Sequence, residues 1–231
     1  ISQSSTVAYL GLFNSLETQT TMNKILIADD HPLFLAGLKG ALLNRLEDTF
    51  IESADSYLAL FSKLQEDEGE LDLVIMDLNM PGATGASGIY FLRQTYPELP
   101  IVVLSAHDTQ DIRLECLQAG ASEFLSKSVD INELVSSLTR IFAGDYQFPA
   151  PFSAASIPSS QQKHYELLAS LTPSQFKVLH LMANGDANKQ IASALNISEK
   201  TVKNHISAIF AKLGVSNRTQ ASKIFIEQEG R

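Results

Sequence analysis

Asp29, Asp30, Asp77, Ser105 and Lys127 are the residue types that a phosphoryl-accepting pocket requires. A carboxylate can attack phosphorus and form an acyl phosphate. An ammonium can neutralise the incoming phosphoryl oxygens, and a hydroxyl can hydrogen-bond one of them. Three carboxylates brought together repel, and burying them raises at least one pKa unless a cation compensates. An oxygen-rich set without soft ligands suits Mg2+, which takes few carboxylates and keeps waters that a phosphate can replace. On these grounds Asp77 is expected to be the nucleophile, with Lys127 and Ser105 acting on the phosphoryl group and Mg2+ as cofactor.

Each of these residues follows an apolar run: Ile25-Leu26-Ile27-Ala28, Leu73-Val74-Ile75-Met76, Ile101-Val102-Val103-Leu104 and Phe124-Leu125. Such runs read as strands buried on both faces of a parallel sheet. Strands are expected at 24–28, 50–53, 73–77, 101–105 and 123–126. Helical patterns fill 32–46, 56–65, 87–95, 109–119 and 131–143, bounded by signals such as Pro32 and Gly120. Five βα units of this spacing predict an α/β fold, a five-stranded parallel doubly wound sheet with helices on both faces. In such sheets ligands collect outside the carboxyl ends of the strands. The fold should therefore gather the acids, the hydroxyl and the lysine in one place.

The 231 residues suffice for two modest domains. No apolar run approaches the ~18 residues of a membrane helix, and a single cysteine, Cys116, excludes an intramolecular disulfide and fits a reducing, cytoplasmic setting. Cys116 lies in a helical pattern with Ile112 and Ala119 and reads as a small core residue. Residues 1–21 are rich in Ser and Thr without a basic head, unlike a secretory signal, and read as a poorly ordered extension before Met22. The receiving domain is expected over 22–143, a linker with Pro149, Pro151 and Pro158 over 144–165, and a small all-α domain over 166–231. The net charge of −9 is uneven: residues 1–165 carry 9 basic and 21 acidic side chains, residues 166–231 carry 8 and 5. Only the basic tail suits an anionic polymer.

The tail is well punctuated. Thr172-Pro173-Ser174-Gln175 is a capping box, and Gly185 closes its helix. A short helix over 189–195 and a turn at Asn196-Ile197 follow, then Ser198 caps a longer helix ending at Gly214. That sequence of elements predicts a helix-turn-helix. Asn217 caps a last helix.

The set Ala28-Asp29-Asp30-His31, Met76-Asp77-Leu78-Asn79-Met80-Pro81-Gly82, Leu104-Ser105-Ala106 and Phe124-Leu125-Ser126-Lys127 closely resembles a bacterial response-regulator receiver, a CheY/flavodoxin-like domain. The string Leu171-Thr172-Pro173, Asn188-Lys189-Gln190-Ile191-Ala192, Ser198 to His205 and Lys212-Leu213-Gly214-Val215 resembles a LuxR-type DNA-binding module. In this order, across everything from Met22 onward, they resemble the NarL/FixJ group. The resemblance implies that a sensor histidine kinase phosphorylates Asp77. It implies that Asp30 binds Mg2+ directly, Asp29 through water, and Asn79 through its backbone carbonyl. It makes Ser105 and Phe124 a switch pair, the aromatic ring following the hydroxyl. Two departures stand out: Ser128 replaces the proline that often follows the lysine, and the loop from Gly82 to Gly88 is long and glycine-rich. His31 and His107 read as rim or capping residues, not metal ligands.

On the helix after Ser198, Val202, Ile206, Ile209, Phe210 and Leu213 form the inward stripe. The opposite face offers Lys200, Thr201, Lys203, Asn204 and Ser207 to DNA, with Lys203 suited to guanine and Asn204 to adenine. Lys200, Thr201, Lys189, His205 and Arg218 are the expected phosphate grips. Ala221, Ile224 and Phe225 are expected to be exposed on the last helix, which in the family pairs two modules, predicting a homodimer on double-stranded DNA. Two rivals must be weighed: an aspartyl-nucleophile phosphohydrolase, disfavoured because Asn79 stands where a second acid is needed, and a DNA-binding protein whose receiver mediates contacts without phosphate. Whether phosphorylation releases the tail or pairs receivers is left open.

Overall fold

A computed structural model of the protein describes residues 22–67, 69–80, 85–146, 166–168 and 170–226. The N-terminal extension, most of the linker and residues 81–84 of the glycine-rich loop lie outside them. Five strands, β1 (Asn23–Ala28), β2 (Thr49–Ala54), β3 (Leu73–Asp77), β4 (Ile101–Ser105) and β5 (Glu123–Ser126), alternate with α1 (Pro32–Leu43), α2 (Tyr57–Glu66), α3 (Ala86–Thr95), α4 (Gln110–Gln118) and α5 (Ile131–Phe142). All strands are parallel in the order β2-β1-β3-β4-β5. Chain direction reverses its progress across the sheet between β1 and β3, which opens the crevice where such sheets bind ligands.

The apolar runs are buried on both sides for a visible reason. Ile25, Ile27, Ile75, Val102 and Leu104 face α1 and α5, meeting Leu38, Leu42, Leu134 and Leu138. Leu26, Ala28, Val74, Met76 and Val103 face the other way, toward Tyr57, Leu60, Phe91 and Cys116 of α2, α3 and α4. Burial pushes the Cys116 thiol up to about 12, so it stays an unreactive core group. No peptide bond among the described residues is cis, so Ser128 follows Lys127 through a trans bond.

Four more helices follow: α6 (Pro173–Ala183), α7 (Asn188–Ala194), α8 (Glu199–Leu213) and α9 (Arg218–Ile226). Their boundaries are the expected ones. Thr172 and Gln175 form the reciprocal capping box, Ser198 accepts from the Thr201 amide at 3.1 Å, and Gly214 ends α8 at a φ of 66°. The core of this domain is continuous with the α2–α3 side of the sheet, through Phe176, Ile209 and Phe225.

Gly88 shows how closely α3 lies on α2, since a Cβ there would stand 2.5 Å from Tyr57 Cε1. Tyr57 is fully buried and has no room to retreat. Gly88→Ala is therefore expected to destabilise the chain by about 1–3 kcal/mol through overpacking, despite alanine's better helix propensity, as measured by urea unfolding.

Candidate phosphoacceptor pocket and DNA-reading helix

Parallel pairing of β1 with β3, and of β3 with β4, aligns the strand ends: Ala28 lies opposite Met76, and Asp77 opposite Leu104. Asp29 and Asp77 are thereby placed side by side, 2 % and 1 % exposed. Lys127, just past β5, reaches over β4 to both of them. Its Nζ stands 2.6 Å from Asp29 Oδ2 and 2.8 Å from Asp77 Oδ2, and 4.7 Å from the centre of the Phe34 ring. Burial alone would lower the lysine's pKa, but the hydrogen bonds to Asp29 and Asp77 outweigh it and hold the ammonium above its ordinary range.

Asp30 is a quarter exposed. Its Oδ1 is nevertheless buried and meets no aligned hydrogen-bond donor, although His31 Nδ1 stands 2.8 Å away. An orphaned carboxylate oxygen beside two further carboxylates fits an oxygen-seeking divalent cation. Asp29, Asp30, His31 and Asp77 each present a ligand atom within 4.8 Å of the others. His31 stands at the rim of this cluster, its side chain 64% exposed. It sits at the N-cap of α1 without making a side-chain cap bond, and its ring turns into the acids, donating or accepting at 3.1 Å from Asp29 Oδ1. That turn of the ring could not be read from residue order, because a lone histidine before Pro32 has the look of a helix start.

The remaining expected residues surround this core. Asn79 donates its backbone amide to Asp77 Oδ1 at 3.2 Å, and its side chain meets His107 Nδ1 at 3.3 Å. Ser105 is buried at the end of β4, where its hydroxyl accepts from the His107 amide at 3.1 Å. Phe124 is fully buried. Arg113 lies over its ring at 5.1 Å, donates to its carbonyl at 2.9 Å and pairs with Asp108 at 3.1 Å. This restraint on Phe124 was not apparent from the sequence.

In the helical domain, Lys189, Lys200, Lys203, Asn204 and Ser207 are exposed, and Val202, Ile209 and Leu213 are buried. The outward face of α8 is thus the expected one. Three other expectations change. Thr201 is drawn into the cap, its Oγ1 2.8 Å from Ser198 Oγ. Arg218 turns inward, its Nη2 donating to the carbonyls of Met182 at 2.9 Å and Asp186 at 2.5 Å. It ties off the end of α6 instead of standing free for phosphate. Ala221 and Phe225 are buried, not exposed, while Ile224 is half-buried. The physical reason is that α9 lies along α6, and Phe225 packs edge-on to Phe176 at 5.6 Å and beside His180 at 5.8 Å. His205 is half-buried.

Comparison with known proteins places each domain in a family. Residues 25–139 match the response regulator receiver domain family, and residues 169–225 the luxR family of bacterial regulatory proteins. The chain is 40% identical to the glycerol metabolism activator of Pseudomonas putida over 212 residues, covering 87% of this chain and 93% of that protein. It is 31% identical to the nitrate/nitrite response regulator NarP of Escherichia coli, covering 92% and 98%. Among solved structures, Salmonella typhimurium RcsB superposes with a TM-score of 0.50 at 25% identity, covering 88% of this chain and 97% of that one. Another RcsB structure, of two dimers bound to two parallel DNAs, gives the same score and identity, covering 89% and 98%.

Lys127→Met would leave Asp29 and Asp77 facing each other without a cation. The expected loss is about 3 kcal/mol of unfolding free energy in divalent-free buffer, partly recovered on adding Mg2+. Because the folded pKa of Lys127 is raised, its contribution is fully present below the unfolded value and is lost as pH rises through the folded one. The difference between wild type and variant should therefore stay constant from neutrality to about pH 10 and shrink above it, as followed by chemical denaturation.

Proposed function

Because the chain belongs to the NarL/FixJ-type response regulators, DNA-binding transcription regulators that join a receiver to a LuxR-type helix-turn-helix, we propose that Asp77 is its phosphoacceptor and α8 its DNA-reading helix. The observation that carries this reading is the meeting of Asp29, Asp77 and Lys127 at the carboxyl end of the sheet.

In the proposed reaction an Asp77 carboxylate oxygen bonds to the phosphorus of a sensor histidine kinase's phosphohistidine, and the imidazole leaves. Asp77 is already oriented for this by the Asn79 amide on one oxygen and Lys127 on the other. Lys127 is then in place to pair with the phosphoryl oxygens. Asp29, Asp30, Asp77 and the Asn79 carbonyl are the residues that would hold Mg2+, which when bound neutralises the charge of the phosphoryl group. Ser105 spends only an acceptor site on His107, so its proton is available to a phosphoryl oxygen. Movement of that hydroxyl would open the space that Phe124 enters.

The donor protein also has a place to sit. Beside Lys127 an apolar groove of about 360 Å3 is lined by Leu33, Phe34, Leu38, Leu104 and Val129, and Leu33 is 90% exposed at its rim. A helix of the kinase laid there would bring a phosphohistidine to Asp77.

On DNA, Lys203 and Asn204 are assigned to base edges and Lys189 and Lys200 to phosphates. Pairing of two chains over two half-sites is proposed through the outward side of α9, with Ile224 its apolar element, since Ala221 and Phe225 hold the module's own core. No helix among the described residues is long and apolar enough to cross a membrane, and a cytoplasmic site of action is proposed with the rest.

After incubation with acetyl phosphate and Mg2+, wild-type chain should carry one alkali-labile and hydroxylamine-sensitive phosphoryl group by mass spectrometry, and Asp77→Asn none. An equal response from Asp77→Asn would sink the phosphoacceptor assignment. Lys203→Ala should weaken binding to a selected operator by roughly 1–3 kcal/mol and relax preference at one base, read by fluorescence anisotropy. Light scattering of the DNA complex should report two chains per operator; one chain would remove the pairing.

A further inference from the structure

Helix α6 is buried all round. Every residue from Gln175 to Met182 is at most 9% exposed, Lys177 included. A helix of a small bundle normally buries one stripe and leaves the other side to water. Burial on every side therefore requires a second body. Part of the covering comes from α9 and α8 within the domain, and the rest comes from the receiver.

On the receiver side the contact has an apolar centre and a polar edge. Phe176 stacks on Phe91 of α3 with ring centres 4.2 Å apart and planes at 21°. Phe61 of α2 meets both rings edge-on, at 5.4 Å from Phe91 and 5.2 Å from Phe176. Offset and edge-on aromatic packing adds specificity beyond area. Next to the rings, Lys177 Nζ donates to Ser62 Oγ at 3.1 Å and to Gln65 Oε1 at 2.5 Å. A buried ammonium with two oriented acceptors fixes register, because any other placement strands the charge. The recognition face lies elsewhere: Lys200, Lys203, Asn204 and Ser207 are all exposed with the domains docked.

We infer that the α2–α3 face of the receiver is a docking surface for α6, which holds the DNA-binding domain with the reading face of α8 open, so that the domains need not separate before DNA is read. This rests on the DNA-reading role proposed above for α8. It assigns Phe61, Ser62, Gln65 and Phe91 a function in setting the orientation of the second domain. Phosphorylation then has no occluded recognition helix to uncover.

The test uses the full chain, with dyes on cysteines introduced by Glu47→Cys and Ala211→Cys. Both positions are exposed, and the native Cys116 is buried. Unphosphorylated wild type should give one narrow interdomain distance distribution. Lys177→Glu, which sets a carboxylate against Gln65 and the neighbouring Glu66, should broaden it, and the exchange Lys177→Glu with Gln65→Lys should narrow it again. A distribution unchanged by Lys177→Glu, or already broad in wild type, would overturn the docking surface. If the single variant misfolds, the exchanged pair still reports, since a rescued fold with a broad distribution would equally refute it. In parallel, operator affinity without phosphodonor should agree between wild type and Lys177→Glu within about twofold. Tightening by about tenfold, or 1.4 kcal/mol, in the undocked variant would show that the docked receiver hides the reading face. Loss of DNA binding in every form would instead refute the role of α8, because the distances are read without DNA.

Discussion

One ammonium between two buried carboxylates sets the geometry of this receiver. Asp29 and Asp77 are almost inaccessible, and two adjacent buried negative charges without compensation would cost several kcal/mol. Lys127 resolves that cost only by spanning the sheet end from β5 across β4 to β3 and β1. The strand order is therefore tied to the chemistry. The same arrangement keeps the site responsive, since a phosphoryl group or a divalent cation changes the charge balance that holds Lys127. A residue that stabilises the resting state by electrostatics is also one that feels the incoming charge.

Much of this could be read from the amino-acid order, for identifiable reasons. Strands buried on both faces spell themselves as unbroken apolar runs, so Leu73 to Met76 and Ile101 to Leu104 located both β-strands and the site residues that follow them. Helix ends were legible where a capping side chain or a left-handed glycine closes them, at Thr172, Ser198 and Gly214. The approach of the His31 ring to the acids was not legible, because it depends on the direction of a ring and not on spacing. Ala221 and Phe225 misled because the size of a domain says little about how one helix lies on another. Once α9 runs along α6, both side chains have partners. Arg218 misled in a similar way, as a cation in a basic tail that serves two backbone carbonyls.

The contact between domains was invisible for a different reason. Phe61, Phe91 and Phe176 each recur with the apolar stripe of their own helix, so each passes for an ordinary core residue of its own domain. Sequence periodicity gives the face of a helix but not the body that covers it. The linker marks a boundary in composition, yet the apolar cluster continues from Val74 and Met76 through Phe61 and Phe91 to Phe176 and Phe225. Physical cohesion and sequence modularity diverge here. An interface centred on three aromatic rings is more apolar than the polar contacts usual between domains of one chain, which favours a defined orientation over free tumbling.

Orientation matters because the two halves carry opposite charge. The segment up to residue 165 is strongly acidic, and the remainder is mildly basic. An acidic receiver held against DNA would repel the phosphates over roughly a Debye length, about 8 Å at physiological ionic strength. A basic helix can profit from its own charges only if the acidic body sits away from the groove it reads. Docking through α6, with Lys200 and Lys203 left in solvent, is one solution to that constraint. It also uses Lys177, a buried cation, as the polar anchor against Ser62 and Gln65. The basic residues of the tail are thus divided by position: Lys177 is committed to the receiver, Arg218 and Lys212 to the module's own backbone and side chains, and Lys200 and Lys203 are left in solvent.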